Sequence, residues 1–207
     1  MSTKSKPGLW KGPYAIMALA MSKEVVFDIE TQSAAGPDFK DMRISVVGVY
    51  FYETDEYQCF EEKEFPQLWK RLENSDRLIG YNSRYFDTPI LNNYYPGDLN
   101  RFAQLDMLEQ IHQALGFRLK LDDVAAATVG VRKSGHGLQA VEWWKQGEIQ
   151  KIKDYCIQDV KVTKAVYEYG LKYGALAYED RLGGRKAIPV DFSRKEPTPA
   201  INLSMGF

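Results

Sequence analysis

Cysteine is scarce: Cys59 and Cys156 are the only two in 207 residues. They build no disulfide framework and show no metal-ligand spacing. Cys156 falls in a helical segment and reads as a small core residue, and a reducing cytoplasm suits such usage. Long apolar runs are also missing. No stretch of about 18 apolar residues exists, which excludes a membrane-spanning helix. Charge of one sign does not dominate either: the formal net charge is -1. A polyanionic partner would have to be met by local basic groups and bound metal rather than by a cationic surface. Internal repeats are absent, so no solenoid is implied. What remains is a globular composition, 44% hydrophobic and 27% charged. That suits one domain of ordinary size with short appendages.

The two ends read differently from the middle. Lys4 and Lys6 precede a short apolar stretch, Ala15 to Met21, in the manner of a signal peptide. Gly12-Pro13 interrupts it, so residues 1–22 are taken as a flexible leader, with Met17 and Met21 as alternative starts. A main domain is expected over 23–174 and a terminal hairpin over 175–192. Residues 193–207 are polar and proline-bearing, and read as a flexible tail.

Glu24 to Ile29 is apolar on both sides, as in a strand covered on both faces. A loop with Gly36-Pro37 follows. Arg43 to Tyr52 and Glu56 to Phe60 are β-rich runs separated by a turn at Glu53-Thr54-Asp55. Phe65, Leu68, Trp69 and Leu72 repeat at helical spacing. Arg77 to Gly80 is a short strand. Thr88-Pro89 predicts a helix with Thr88 as N-cap and Pro89 at its first position. Gln104 to Leu105 is a short strand into Asp106. Helices are expected over Asp106 to Leu115, Leu121 to Val129, Leu138 to Gln146 and Glu148 to Tyr173, three of them stopped by glycine. A hairpin of Ala175 to Glu179 with Lys186 to Asp191 closes the pattern. The order predicts an α/β domain with a mixed sheet packed by helices.

Three short segments carry the acidic residues of interest: Phe27-Asp28-Ile29-Glu30-Thr31, Tyr81-Asn82-Ser83-Arg84-Tyr85-Phe86-Asp87, and Tyr155-Cys156-Ile157-Gln158-Asp159. Asp28 and Glu30 leave the same face of a strand. They either end that strand in solvent or share a divalent cation that offsets their repulsion. Asp87 lies by a helix N-terminus, where the dipole alone favours an anion. Tyr155 and Asp159 are neighbours on one helical face, which solvent exposure would also explain. All three in this order point to a shared metal pocket.

Those residues resemble the DnaQ-like 3′–5′ exonucleases of the RNase H-like superfamily, the DEDD nucleases. Asp28 and Glu30 match the first motif, Asn82, Phe86 and Asp87 the second, and Tyr155 with Asp159 the third. Asp154 stands where the histidine form of that motif has its histidine, so the tyrosine subclass is indicated. Ile79 to Leu91 and Tyr155 to Val160 most resemble the proofreading exonuclease domain of B-family DNA polymerases. The resemblance covers Glu24 to Tyr173.

The resemblance implies an RNase H-like fold, with three antiparallel strands followed by parallel ones. It implies two divalent ions, magnesium with manganese as substitute, held by Asp28, Glu30, Asp87 and Asp159. Tyr155 would orient the attacking water, completing a catalytic set of Asp28, Glu30, Asp87, Tyr155 and Asp159. Thr31, Asn82 and Phe86 would touch the terminal nucleotide, with core packing as the alternative for Phe86. The expected activity is 3′–5′ hydrolysis of single-stranded DNA to nucleoside 5′-monophosphates, in DNA repair or replication. The alternatives are RNA trimming, a catalytically silent nucleic-acid adaptor, and an RNase H-type endonuclease, which the Tyr-x-x-x-Asp spacing disfavours. Arg132, Lys133 and His136 belong either to a phosphate-contacting loop or to a solvated one. Trp143-Trp144 should place at least one ring in the core. Asn202-Leu203-Ser204-Met205-Gly206-Phe207 distantly resembles peptides that dock bacterial replication clamps, with an inert tail as the alternative.

Overall fold

The computed structural model describes residues 22–34, 41–131 and 137–194. The expected leader, the Gly36-Pro37 loop, the Arg132 to His136 loop and the clamp-like tail peptide lie outside the described residues. Strands β1 (Glu24–Thr31), β2 (Ile44–Phe51) and β3 (Glu56–Phe60) form an antiparallel meander. β4 (Arg77–Gly80) and β5 (Gln104–Asp106) extend it on the other side, both parallel to β1. The sheet order is β3-β2-β1-β4-β5. This is the mixed α/β sheet that the alternation of elements predicts.

Helices cover both faces. α1 (Phe65–Glu73) buries Phe65, Leu68, Trp69 and Leu72, the stripe read from its spacing. α2 (Asp87–Leu91) is short, and α3 (Met107–Leu115), α4 (Leu121–Val129), α5 (Gly137–Lys145) and α6 (Ile149–Tyr173) follow. α2 starts at Asp87, two residues before the expected first position at Pro89. Its N-cap is Phe86, not Thr88, and the Thr88 hydroxyl donates instead to Gln104 Oε1 at 3.1 Å. A tertiary hydrogen bond thus takes the side chain that local propensity assigned to capping.

β1 alternates between two cores. Val25, Phe27 and Ile29 join α1, Ile90, Leu91 and Leu99 on one face. Val26 belongs to the opposite core, with residues of α3, α4 and α6. Asp28 and Glu30 share the parity of Val26, so their side chains leave toward α6. That helix is fastened to β1 at two points. Cys156 Sγ lies 3.6 Å from the Asp28 carbonyl oxygen, and the Tyr167 hydroxyl donates to Glu24 Oε2 at 2.6 Å. Eleven helical residues rise about 16 Å, and four strand residues span about 13 Å. α6 therefore runs back along β1 rather than across it.

Gly48 makes this close approach feasible. It pairs with Asp28 across β1 and β2. A Cβ there would sit 2.7 Å from Cys156 Sγ and 3.1 Å from Val160. The hairpin of β6 (Ala175–Glu179) and β7 (Arg185–Pro189) contributes Leu176 and Ile188 to the α6 core. Thr128 Oγ1 pins it, donating to the Ala177 carbonyl at 3.1 Å and accepting the Ala177 amide at 2.9 Å.

Candidate metal centre

β1, β4 and β5 run parallel, so their carboxyl ends share one edge of the sheet. That edge is where open α/β sheets bind ligands. β1 brings Asp28, half-buried, and Glu30, buried. A carboxylate oxygen of each and Cys156 Sγ all lie within 4.8 Å of one another.

Asp87 arrives from the turn after β4. It is buried, and its Oδ1 accepts the Ile29 amide hydrogen at 3.1 Å. The second segment is thereby joined to the backbone between Asp28 and Glu30. Burial pushes the Asp87 carboxyl up from its ordinary value to about 7; the Ile29 and Asp87 amides pull it down, and Asp106 adds repulsion.

Tyr155 and Asp159 come from α6, and both are buried. Cys156, next to Tyr155, contacts Asp28, which brings this stretch of helix against the carboxyl half of β1. The Tyr155 ring stands edge-on to Trp143, with centroids 6.0 Å apart. Trp143 and Trp144 both pack, half-buried, against the small core beneath Tyr155. Asp154 is exposed and accepts from Gln150 at 2.8 Å, on the solvent side of the helix.

The RNase_H_2 family model, described as RNase_H superfamily, matches residues 25–170. The chain belongs to the RNase H superfamily. Among solved structures it is similar to the family B DNA polymerase from the hyperthermophilic archaeon Pyrobaculum calidifontis, with a TM-score of 0.56 and 21% identity. That match covers 72% of this chain and 24% of the polymerase chain, so the likeness is one of fold and spans about a quarter of the polymerase. No curated protein matches the chain.

Asp28 and Glu30, with Cys156, make up the cluster of ligand atoms within 4.8 Å of one another; Asp87 and Asp159 are not part of it. Nucleases of the superfamily use divalent metal ions, and nucleic acid is the substrate class. Hard oxygen donors suit magnesium or manganese. Burial, a hydrogen bond with Cys59 and the negative charges of Asp28 and Glu30 push the Cys156 thiol well up from its ordinary value.

The residues expected to touch substrate are more occupied. Thr31 Oγ1 donates to the Ser33 carbonyl at 2.9 Å, within the turn that ends β1. The Asn82 side-chain oxygen accepts from Arg118. Phe86 is half-buried and packs against the core that holds Phe27 and Ile90.

Asp106 was invisible as a site residue. It is buried at the end of β5 and caps α3 through the Leu108 amide at 2.9 Å. It also accepts the Asn82 amide at 2.7 Å and the Arg84 amide at 3.0 Å. It therefore shapes the turn that delivers Asp87. An aspartate directly before a helix was the available signal, but the partners across the sheet had no trace in sequence.

Proposed function

We propose that this protein is a metal-dependent 3′–5′ exonuclease of the tyrosine DEDD subclass. It removes nucleoside 5′-monophosphates from the 3′ end of single-stranded DNA, in repair or replication. The observation that carries the reading is the Asp87 carboxylate held on the Ile29 amide, between Asp28 and Glu30.

Asp28, Glu30, Asp87 and Asp159 would hold two divalent ions, magnesium by preference and manganese as substitute. Bound there, the ions would supply an activated water and stabilise charge on the leaving 3′-oxygen. The protein's own part is orientation. The β1 backbone fixes Asp28 and Glu30, and the Ile29 amide fixes Asp87. Trp143 supports Tyr155, whose hydroxyl directs the attacking water. α6 sets the position of Asp159 through its contacts at Cys156 and Tyr167. The proposed compartment is the cytoplasm: Cys59 and Cys156 are free thiols. Among the described residues no helix is long and apolar enough to cross a membrane.

The test uses a 5′-labelled single strand, as DNA and as RNA, with magnesium or with chelator. A ladder shortening from the 3′ end with magnesium, lost with chelator and in Asp159→Asn, is the expected result. Faster shortening of RNA would make the protein an RNA-trimming enzyme. Binding without cleavage would make it an adaptor, and internal cuts in a hybrid duplex an endonuclease.

A further inference from the structure

The turn that delivers Asp87 also displays an aromatic ring. Tyr85 lies two residues before Asp87 and is 60% exposed. Exposed aromatics are common singly and need no explanation alone. This one sits on an ordered support. Asn82 opens the turn at φ 65, a left-handed conformation that asparagine tolerates better than most residues. The Asp106 carboxylate holds the amides of Asn82 and Arg84.

A cation lies over the ring. The Arg118 guanidinium, from the connection between α3 and α4, is 5.5 Å from the Tyr85 centroid. The same guanidinium donates to the Asn82 side chain. Both partners are neutral, so they leave its positive charge in place. The Tyr81 hydroxyl donates to the Leu119 carbonyl at 2.9 Å, tying the same two segments together a second time. Next to Arg118, Phe117 is 45% exposed and meets Tyr178 of β6 edge-on, with centroids 5.9 Å apart. Aromatic rings interleaved with cationic groups are how single strands are held: rings stack on bases and cations meet phosphates.

We propose that Tyr85 and Arg118 form a platform for an unpaired polynucleotide, Tyr85 stacking on a base and Arg118 pairing with a backbone phosphate. The strand so held lies upstream of the terminal nucleotide, which meets the proposed metal centre. The placement of strand relative to that centre rests on the nuclease reading. The platform itself rests on the exposed ring, the cation and the rigid turn.

The experiment measures binding of a 5′-labelled oligothymidylate by anisotropy, with calcium replacing magnesium, alongside exonuclease kinetics in magnesium. Tyr85→Ala should weaken binding about tenfold, in the range that alanine substitution of stacking residues produces. Tyr85→Phe should restore it. On a strand carrying abasic sites the Tyr85→Ala effect should vanish, while Arg118→Ala should still weaken binding and lower the salt slope by about one charge. In turnover, KM should rise with little change in kcat, and the rise should shrink as the strand is shortened. Both residues are exposed, so circular dichroism and melting should match the parent. If the parent cleaves and both alanine variants bind within twofold of it, the platform is wrong and the nuclease reading survives. If the parent binds without cleaving and the variants bind weakly, the platform survives and the nuclease reading fails. Absence of any strand binding by the parent overturns both.

Discussion

Asp87 Oδ1 accepts the Ile29 amide hydrogen at 3.1 Å, so a carboxylate from the second acidic segment is bonded to the backbone of the first. Its removal should be felt in two ways. Asp87→Ala leaves a buried amide without its acceptor, which costs about 1–3 kcal/mol. Asp87→Asn keeps an acceptor oxygen and should lose less. Both should lower magnesium-dependent cleavage by about 100-fold or more, since even outer partners of metal ligands are worth 10–100-fold. Urea denaturation midpoints beside single-strand turnover check both parts. Equal stability of the two variants would contradict the assigned bond.

Carboxylate oxygens of Asp28 and Glu30 lie within 4.8 Å of each other. Their mutual repulsion predicts that magnesium raises the melting temperature and chelator lowers it. At a hundredfold excess over Kd the increment is about 2.7 kcal/mol. Asp28→Asn combined with Glu30→Gln should melt higher than the parent in chelator and gain nothing from magnesium. A parent melting curve indifferent to magnesium would count against the metal centre.

Gly48 is the point where α6 approaches β2. Gly48→Ala puts a methyl group 2.7 Å from Cys156 Sγ, and the helix must shift. Overpacking of this kind costs about 1–3 kcal/mol. Because α6 carries Tyr155 and Asp159, turnover should fall together with stability. Gly48→Ala combined with Cys156→Ala should recover part of the stability. An unaltered melting temperature in the single variant would refute the close contact.

Glu24 and Arg77 form a buried ion pair at 2.7 Å, with the Tyr167 hydroxyl bonded to both. Arg77→Met strands the Glu24 carboxylate, a change that typically costs 3–5 kcal/mol, here taken as about 4. Adding Glu24→Gln should return part of that loss, because the uncompensated charge goes with it. Denaturant midpoints for the two single variants and the double variant give the coupling. Strict additivity would show that the pair is not a unit.

Tyr52, Tyr81 and Tyr167 all have phenols pushed up, in each case chiefly by burial, with Glu168, Asp106 and Glu24 adding repulsion respectively. A raised folded-state pKa means that the folded protein holds the proton longer than the unfolded chain. Their contribution to stability is complete below the unfolded value, roughly 10, and declines as pH rises above it. In an alkaline titration these phenols should ionise only as the protein unfolds. Tyrosinate absorbance should then show a late step that coincides with loss of the far-ultraviolet dichroism. A late step clearly preceding that loss would show the rings to be open to solvent.

The reading of elements succeeded where one-dimensional signals are strong. Apolar alternation located β1 to β3, helical spacing located α1, and glycines marked the ends of α3, α4 and α6. It slipped at α2, because Thr88 has a partner sixteen residues away that outcompetes its own helix end. The pairing of the motif residues is legible for a similar reason. Asp28 with Glu30, and Tyr155 with Asp159, are paired by strand and helix period, which sequence spacing encodes directly.

By itself, then, the order of residues determined the succession of strands and helices, the parity that turns Asp28 and Glu30 to one face, and the superfamily. Tertiary structure alone decided what those groups meet. Asp87 reaches the Ile29 amide, Asp106 gathers the turn that carries Asp87, and Arg118 settles over Tyr85. The physical reason is separation along the chain. Backbone periodicity is a local property, while each of those three contacts forms only once sheet pairing has brought remote segments within hydrogen-bonding or ring-contact distance.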